Sequence, residues 1–170
     1  MYLARDMELG TFWAVKQLPL SMKKEAELLR RLNHSSLPRM TDYTEQDDKC
    51  YLVMEYIKGK SLNEYLKTNH LFSFEEILII TKTILQIFQY LHSQKPPIYY
   101  GDLKPENLMR TETGKIYLVD FGSALCSYGT VRKNIKGTKG YAAPEQYQGM
   151  LTAASDFYAC LLYTSPSPRD

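Results

Sequence analysis

Cysteine is scarce in this sequence. Cys50, Cys126 and Cys160 are the only three, widely separated and outside any CxxC arrangement. An odd, scattered set excludes a disulfide framework and a zinc site as expectations, and fits a reducing cytosol. A surplus of charge is also lacking. Lys and Arg number 21 against 19 Asp and Glu, a formal net charge of +2. That is too small to argue for nucleic acid or an anionic membrane as partner. No apolar run is long enough to cross a bilayer. The opening residues Met1 to Asp6 lack the charged-then-apolar order of a signal peptide. No internal repeat is visible. The expected location is cytoplasmic, although a longer protein carrying this chain could still be membrane-anchored. What is present is ordinary for a globular fold: 44% hydrophobic and 24% charged residues.

The first third alternates like strands. Tyr2 to Arg5 and Phe12 to Lys16 read as an antiparallel pair turning near Glu8-Leu9-Gly10. Met22 to Leu32 reads as a helix, with Met22, Ala26, Leu29 and Leu32 at helical spacing. Met40 to Tyr43 and Cys50 to Tyr56 read as two strands across the polar turn Glu45 to Asp48. Beyond Lys58-Gly59-Lys60 the pattern turns helical. Ser61 to Lys67 is a short helix. Phe74 to Leu91 is a long one, with Ile77, Ile80, Ile84, Ile87, Phe88 and Leu91 on one face, and with Ser73 and Glu76 placed for a capping box. Pro96-Pro97 forbids its continuation. Short strands, Leu108-Met109 and Ile116 to Val119, follow among polar loops. Strands first and helices later predict an α+β architecture in two parts, with a site at their junction.

Three motifs occur in one order. Asp102-Leu103-Lys104-Pro105-Glu106-Asn107 comes first, then Asp120-Phe121-Gly122 directly after a strand, then Gly137-Thr138-Lys139-Gly140-Tyr141-Ala142-Ala143-Pro144-Glu145. Upstream stands Trp13-Ala14-Val15-Lys16, followed by a helix bearing Glu25. Taken singly these are bland: a turn aspartate, a loop asparagine, a strand-end aspartate, a solvated lysine. Glu25 lies four and seven residues before Leu29 and Leu32 and shares their apolar face, where a carboxylate wants a cation. Glu27, with Lys23 four residues before it, suits a solvated face.

The set as a whole resembles the eukaryotic-like, bacterial-type serine/threonine protein kinase family over residues 1 to 159. The resemblance implies a bilobal kinase fold, truncated at both ends, with ATP and Mg²⁺ as cofactors and a protein Ser/Thr hydroxyl as acceptor. It implies a partial sheet lobe over 1–57 and a partial helical lobe over 58–159. Asp102 matches the catalytic base and Lys104 the lysine that steadies the γ-phosphate. Asn107 and Asp120 match the two Mg²⁺ ligands, and Lys16, paired with Glu25, matches the grip on the α- and β-phosphates. Met54 matches the residue at the back of the adenine pocket, and backbone groups of Glu55 and Ile57 the hinge contacts to adenine. Thr138 and Glu145 match the protein-substrate platform, with the Thr138 hydroxyl on Asp102 and Lys104. Asp156 matches the start of a helix that anchors the catalytic loop from beneath.

The chain also departs from the family. Tyr100-Gly101 stands where His-Arg is usual, so activity is expected to depend little on phosphorylation of Ser123, Ser127 or Thr130, and the Tyr100 ring is expected to pack near Phe121. The glycine-rich loop expected before Tyr2 is absent. The run Cys160 to Asp170 back-translates to a string resembling a transposase sequencing adapter and is expected to be non-native. These 170 residues alone are expected to be poorly stable and nearly inactive. The competing readings are a pseudokinase or nucleotide-binding scaffold, disfavoured by Lys16, Asp102, Asn107 and Asp120 together, and a small-molecule phosphotransferase, which lacks the Ala143-Pro144-Glu145 platform.

Overall fold

The structure, a computed structural model, describes residues 1–128, 131–132 and 138–164, with backbone alone at 131, 132 and 162–164. Strands β1 (Tyr2–Arg5) and β2 (Phe12–Pro19) form a hairpin pairing Tyr2 with Val15 and Arg5 with Phe12. Its turn is organised by Asp6, whose carboxylate accepts from the amides of Glu8 and Leu9, both at 2.9 Å. A short side-chain acceptor bonding the amides just downstream is a local turn former.

The helix that follows is shorter than its spacing predicts. A 3₁₀ turn occupies Leu20–Met22, and helix α1 runs only Lys24–Leu29. The amides of Arg31 and Leu32 bond the carbonyls of Leu28 and Leu29, so the last turn tightens instead of propagating. Met22, expected on the apolar face, is therefore exposed, while Glu25, Ala26, Leu28 and Leu29 are buried.

Strands β3 (Met40–Gln46) and β4 (Lys49–Glu55) join across Asp47-Asp48. Both residues have positive φ, 49° and 58°, as a tight two-residue hairpin turn requires. In β4 the buried residues are Cys50, Leu52 and Met54, one face of a period-two strand. The resulting antiparallel sheet has the order β1-β2-β4-β3.

Strand β5 (Gly59–Ser61) leads into α2 (Leu62–Lys67), and α3 (Phe74–His92) follows. Both helices begin with a capping box, Ser61 with Glu64 and Ser73 with Glu76. In α3 the Ser73 amide donates to Glu76 at 2.8 Å and the Glu76 amide to Ser73 Oγ at 3.2 Å. Ile80, Ile84, Ile87, Phe88 and Leu91 form its buried stripe. Next come β6 (Ile98–Tyr99), β7 (Leu108–Thr111), β8 (Ile116–Leu118), β9 (Leu125–Cys126), β10 (Val131–Arg132), β11 (Met150–Leu151) and helix α4 (Ala153–Thr164). A three-stranded sheet, β5-β7-β8, joins the strand before α2 to two strands that follow α3, and β6-β9 and β10-β11 are two-stranded pairs. Gly59 is needed where β5 crosses β7: a β-carbon there would fall 2.3 Å from the Arg110 carbonyl oxygen.

One apolar core runs from Leu18, Leu29 and Leu52 through Ile84, Phe88 and Leu118 to Ala159 and Cys160. Helix α4 crosses residue 160 without a break, and burial pushes the Cys160 thiol up to about 11. Residues 165–170 of the tail lie outside the described residues, as do Thr130 and Gly137. Among the described residues no helix is long and apolar enough to cross a membrane.

Candidate active site

Lys16 sits in β2 with Ala14 and Leu18, on the face turned to the core. Its Nζ donates to both oxygens of Glu25, at 2.7 and 2.9 Å, and to Asp120 Oδ1 at 2.8 Å. Glu25 is buried, so an unpaired carboxylate there would be costly, and the ammonium removes that cost. Burial by itself lowers the Lys16 pKa, but the hydrogen bonds and charges of Asp120 and Glu25 outweigh it and hold it above the usual lysine value. For Asp120, burial pushes up, while the Lys16 hydrogen bond and charge and the Gly122 amide pull harder, leaving its carboxyl below the usual range. Asp120 also has φ +63°, a conformation that aspartate tolerates better than most residues and that recurs at functional sites.

A second cluster forms around Asp102. Its Oδ1 accepts from Thr138 Oγ1 at 2.6 Å and its Oδ2 from Lys104 Nζ at 2.7 Å. Lys104 Nζ also reaches Thr138 Oγ1 at 3.2 Å. Asn107 closes the loop on itself, its Nδ2 donating to the Asp102 carbonyl at 2.9 Å. Pro105 opens the 3₁₀ turn Pro105–Asn107, where its fixed φ suits a first helical position. The Val119 amide donates to the Asn107 carbonyl at 2.9 Å. With the β7–β8 pairing of Leu108 and Leu118, that bond sets Asp120 beside the loop that carries Asp102 and Asn107.

The loop is held from α3 and α4. Asp156, buried in the first turn of α4, accepts from the amides of Tyr100, at 2.9 Å, and Gly101, at 2.8 Å. His92 Nε2, at the end of α3, lies 2.8 Å from the same carboxylate. Tyr100 is fully buried. Its hydroxyl donates to the Val119 carbonyl at 2.6 Å, and its ring meets Phe121 edge-on at 5.3 Å. Burial, reinforced by the charges of Asp120 and Asp102, holds its pKa well above the usual tyrosine value.

Between the four-stranded sheet and these loops lies a cavity of about 150 Å³. Ala14, Met54, Ile57, Met109 and Val119 give it apolar walls; Lys16, Glu25, Glu55 and Asp120 are its charged lining. The Glu55 amide is taken by the Arg39 carbonyl at 2.8 Å. What Glu55 can still offer a ligand from its backbone is therefore its carbonyl.

The residues singled out from sequence thus fall into a Lys16–Glu25–Asp120 group, an Asp102–Lys104–Asn107–Thr138 group and a wall containing Met54, Glu55 and Ile57. Glu145 stands apart from all three, accepting from Ser155 Oγ at 2.7 Å. Three contributors were not foreseen: His92, Ser155 and Gln146, whose Nε2 donates to the Gly101 carbonyl at 2.8 Å. His92 had a signal, since it follows Phe88 by four residues on the apolar stripe of α3. Ser155 and Gln146 had none beyond their proximity to named motif residues. Among the described residues no group of three His, Cys, Asp or Glu could hold a metal. With Asp120 Oδ1 on Lys16 and the Gly122 amide, and Asn107 Nδ2 on Asp102, the oxygens left to these two side chains are Asp120 Oδ2 and Asn107 Oδ1. Two hard oxygen donors fit Mg²⁺, which takes one or two protein ligands and fills its shell with phosphate and water.

The profile of the family described as "Protein kinase domain" matches residues 1–165. The chain is 38% identical over 166 residues to serine/threonine-protein kinase B of Synechocystis sp., covering 87% of this chain and 29% of that protein. It is 32% identical over 173 residues to serine/threonine-protein kinase PrkC of Bacillus subtilis, covering 94% of this chain and 26% of the relative. It is 34% identical over 185 residues to a probable serine/threonine-protein kinase of Streptomyces coelicolor, covering 96% and 27%. The chain therefore spans well under a third of the length of these curated relatives.

Proposed function

Because this chain belongs to the protein kinase family, in the α+β fold of that domain, we propose that the protein it represents transfers the γ-phosphate of ATP to a serine or threonine hydroxyl of a protein. The observation that carries this reading is the 2.6 Å hydrogen bond from Thr138 to Asp102. It joins the loop bearing the proposed base to the segment leading into Ala143-Pro144-Glu145, the segment on which a protein acceptor would rest. Thr138, with Glu145 fastened to α4 through Ser155, is the proposed substrate platform.

The proposed lobes are residues 1–57 above the cavity and 58–159 below it, with Cys160 to Asp170 a non-native tail. Adenine would lie against Met54, bonded by backbone groups of Glu55 and Ile57. Lys16, steadied by Glu25, binds the α- and β-phosphates. Asn107 and Asp120 would hold Mg²⁺, which supplies charge neutralisation on the phosphates when bound. Asp102, oriented by Thr138 and Lys104, aligns the acceptor hydroxyl and takes its proton. Lys104 then meets charge at the γ-phosphate. Phosphoryl transfer needs positioning and charge more than covalent help, and these groups supply both.

Large apolar side chains left exposed, among them Tyr2, Leu3, Phe74, Leu78 and Ile79, support a further proposal: that the isolated 170 residues are marginally stable and turn over ATP poorly.

The test is incorporation of phosphate from γ-labelled ATP into a generic protein by the intact protein, followed by identification of the labelled residue. Phosphoserine and phosphothreonine that disappear on Mg²⁺ chelation are expected. Nucleotide binding without transfer would favour the pseudokinase reading, and label appearing only in small hydroxylated acceptors would favour the small-molecule phosphotransferase.

Glu25→Gln keeps the shape of the helix and removes the charge opposite Lys16. Hydrogen bonds to charged groups contribute about 1.5–3 kcal/mol, so kcat/KM for ATP is expected to fall by roughly 10- to 100-fold. An unchanged kcat/KM would show that Asp120 alone suffices to place Lys16.

A further inference from the structure

Gly101 has φ +76°, a conformation that favours glycine. It is buried, its amide bonded to Asp156 and its carbonyl to Gln146. A β-carbon at this position would lie 2.8 Å from Leu151 Cδ2, 3.2 Å from Leu151 Cδ1 and 3.6 Å from the Ser123 carbonyl oxygen. Leu151 therefore fills the volume that any side chain at 101 would need. Leu151 is fully buried and belongs to β11, which pairs Leu151 with Val131 and Met150 with Arg132 of β10. One residue thus meets the Asp102 loop with its side chain and the segment after Asp120-Phe121-Gly122 with its backbone.

We propose that Leu151 is a positioning residue that latches the backbone of Val131-Arg132, downstream of Asp120-Phe121-Gly122, onto the Asp102 loop through its contact with Gly101. The contact is apolar, so the latch needs no charge added to that segment. The pairing of a side-chain-free position with a leucine packed into its place makes the two residues interdependent: enlarging the first requires shrinking the second. The effect on catalysis rests on the kinase reading; the latch itself does not.

The experiment compares intact protein with Leu151→Ala, with Leu151→Val as a milder truncation that keeps strand preference, and with Leu151→Met as the conservative replacement. Tryptic cleavage within residues 132–139, timed at a temperature well below melting, is expected to be about tenfold faster in Leu151→Ala, intermediate in Leu151→Val and near wild type in Leu151→Met. In the same order kcat falls, about tenfold for Leu151→Ala, while KM for ATP stays within about twofold. Gly101→Ala alone is expected to lower kcat more than tenfold, and adding Leu151→Ala to it is expected to cost less than the product of the two single changes, as for sites in contact. Cleavage at the wild-type rate in both Leu151→Ala and Leu151→Val would overturn the latch. So would a parallel loss of kcat, ATP affinity and melting temperature, which marks general loss of packing. A wild-type protein that transfers no phosphate would defeat the kinase reading and leave the proteolysis arm to decide the latch.

Discussion

Asp102→Asn is expected to lower kcat by roughly 10²- to 10⁴-fold, the range a positioned general base supplies, with KM for ATP and the melting temperature little changed. The geometry gives the reason that folding should survive. The carboxylate accepts from Thr138 Oγ1 on one oxygen and from Lys104 Nζ on the other. An asparagine can keep its oxygen toward Lys104 and turn its amide toward Thr138, whose hydroxyl then accepts instead of donating. The bonds on both sides persist; what is lost is the ability to take a proton from the acceptor hydroxyl. Single-turnover phosphate transfer and a thermal melt, measured on the same preparation, check the prediction. A variant that keeps wild-type kcat would remove Asp102 from the chemistry. A variant that loses activity only because it no longer melts cooperatively would leave Asp102 a structural residue.

The parts of this molecule legible in the sequence are those set by short-range pattern. Ser73 and Glu76 announce the start of α3, because a capping box is three residues long and its bonds are local. Cys50 to Tyr56 reads as a strand from its apolar run, but that its buried face is Cys50, Leu52 and Met54 was not legible, because Tyr51 and Val53 between them are apolar too. The apolar-face argument for Glu25 anticipated its burial and its need for a cation; that the cation is Lys16, bonded at 2.7 Å, was implied by the family resemblance. The end of α1 was not legible, because a helix and a tightening 3₁₀ turn share the same apolar spacing over so few residues. Nor was β11: two residues, Met150 and Leu151, have no period to read, and their strand exists only because Val131 and Arg132 lie opposite. Tyr100 was legible as a ring near Phe121 but not as a donor to Val119, since the hydroxyl's partner is a carbonyl that the fold brings from nineteen residues away. Long-range contacts of single side chains leave no periodic trace, and much of what supports the Asp102 loop is of that kind.

Asp156 is the strongest case of such support, and its removal is expected to have the largest effect on stability. Its carboxylate is almost fully buried and accepts the amides of Tyr100 and Gly101, with His92 Nε2 on the same oxygen as Tyr100. In Asp156→Ala both amides are left buried without an acceptor, each at a cost of about 1–3 kcal/mol. The two together predict a loss of about 2–6 kcal/mol, which at about 2–4 °C per kcal/mol for a domain of this size lowers the melting temperature by roughly 4–24 °C. Asp156→Asn retains the shape and one acceptor oxygen, but in either orientation its amide group must face a backbone N–H, that of Gly101 or that of Tyr100 together with His92. It is expected to fall between wild type and Asp156→Ala. The two variants also separate charge from shape: if His92 serves only as a packed ring against Phe88 and Phe157, His92→Phe will melt near wild type, and if its bond to Asp156 matters, His92→Phe will approach Asp156→Asn. Because the Tyr100 and Gly101 amides immediately precede Asp102, kcat should fall in step with stability across this series, measured at a temperature where every variant is still folded. An Asp156→Ala protein that melts and turns over like wild type would show that the loop is held by Leu151, Gln146 and Thr138 alone.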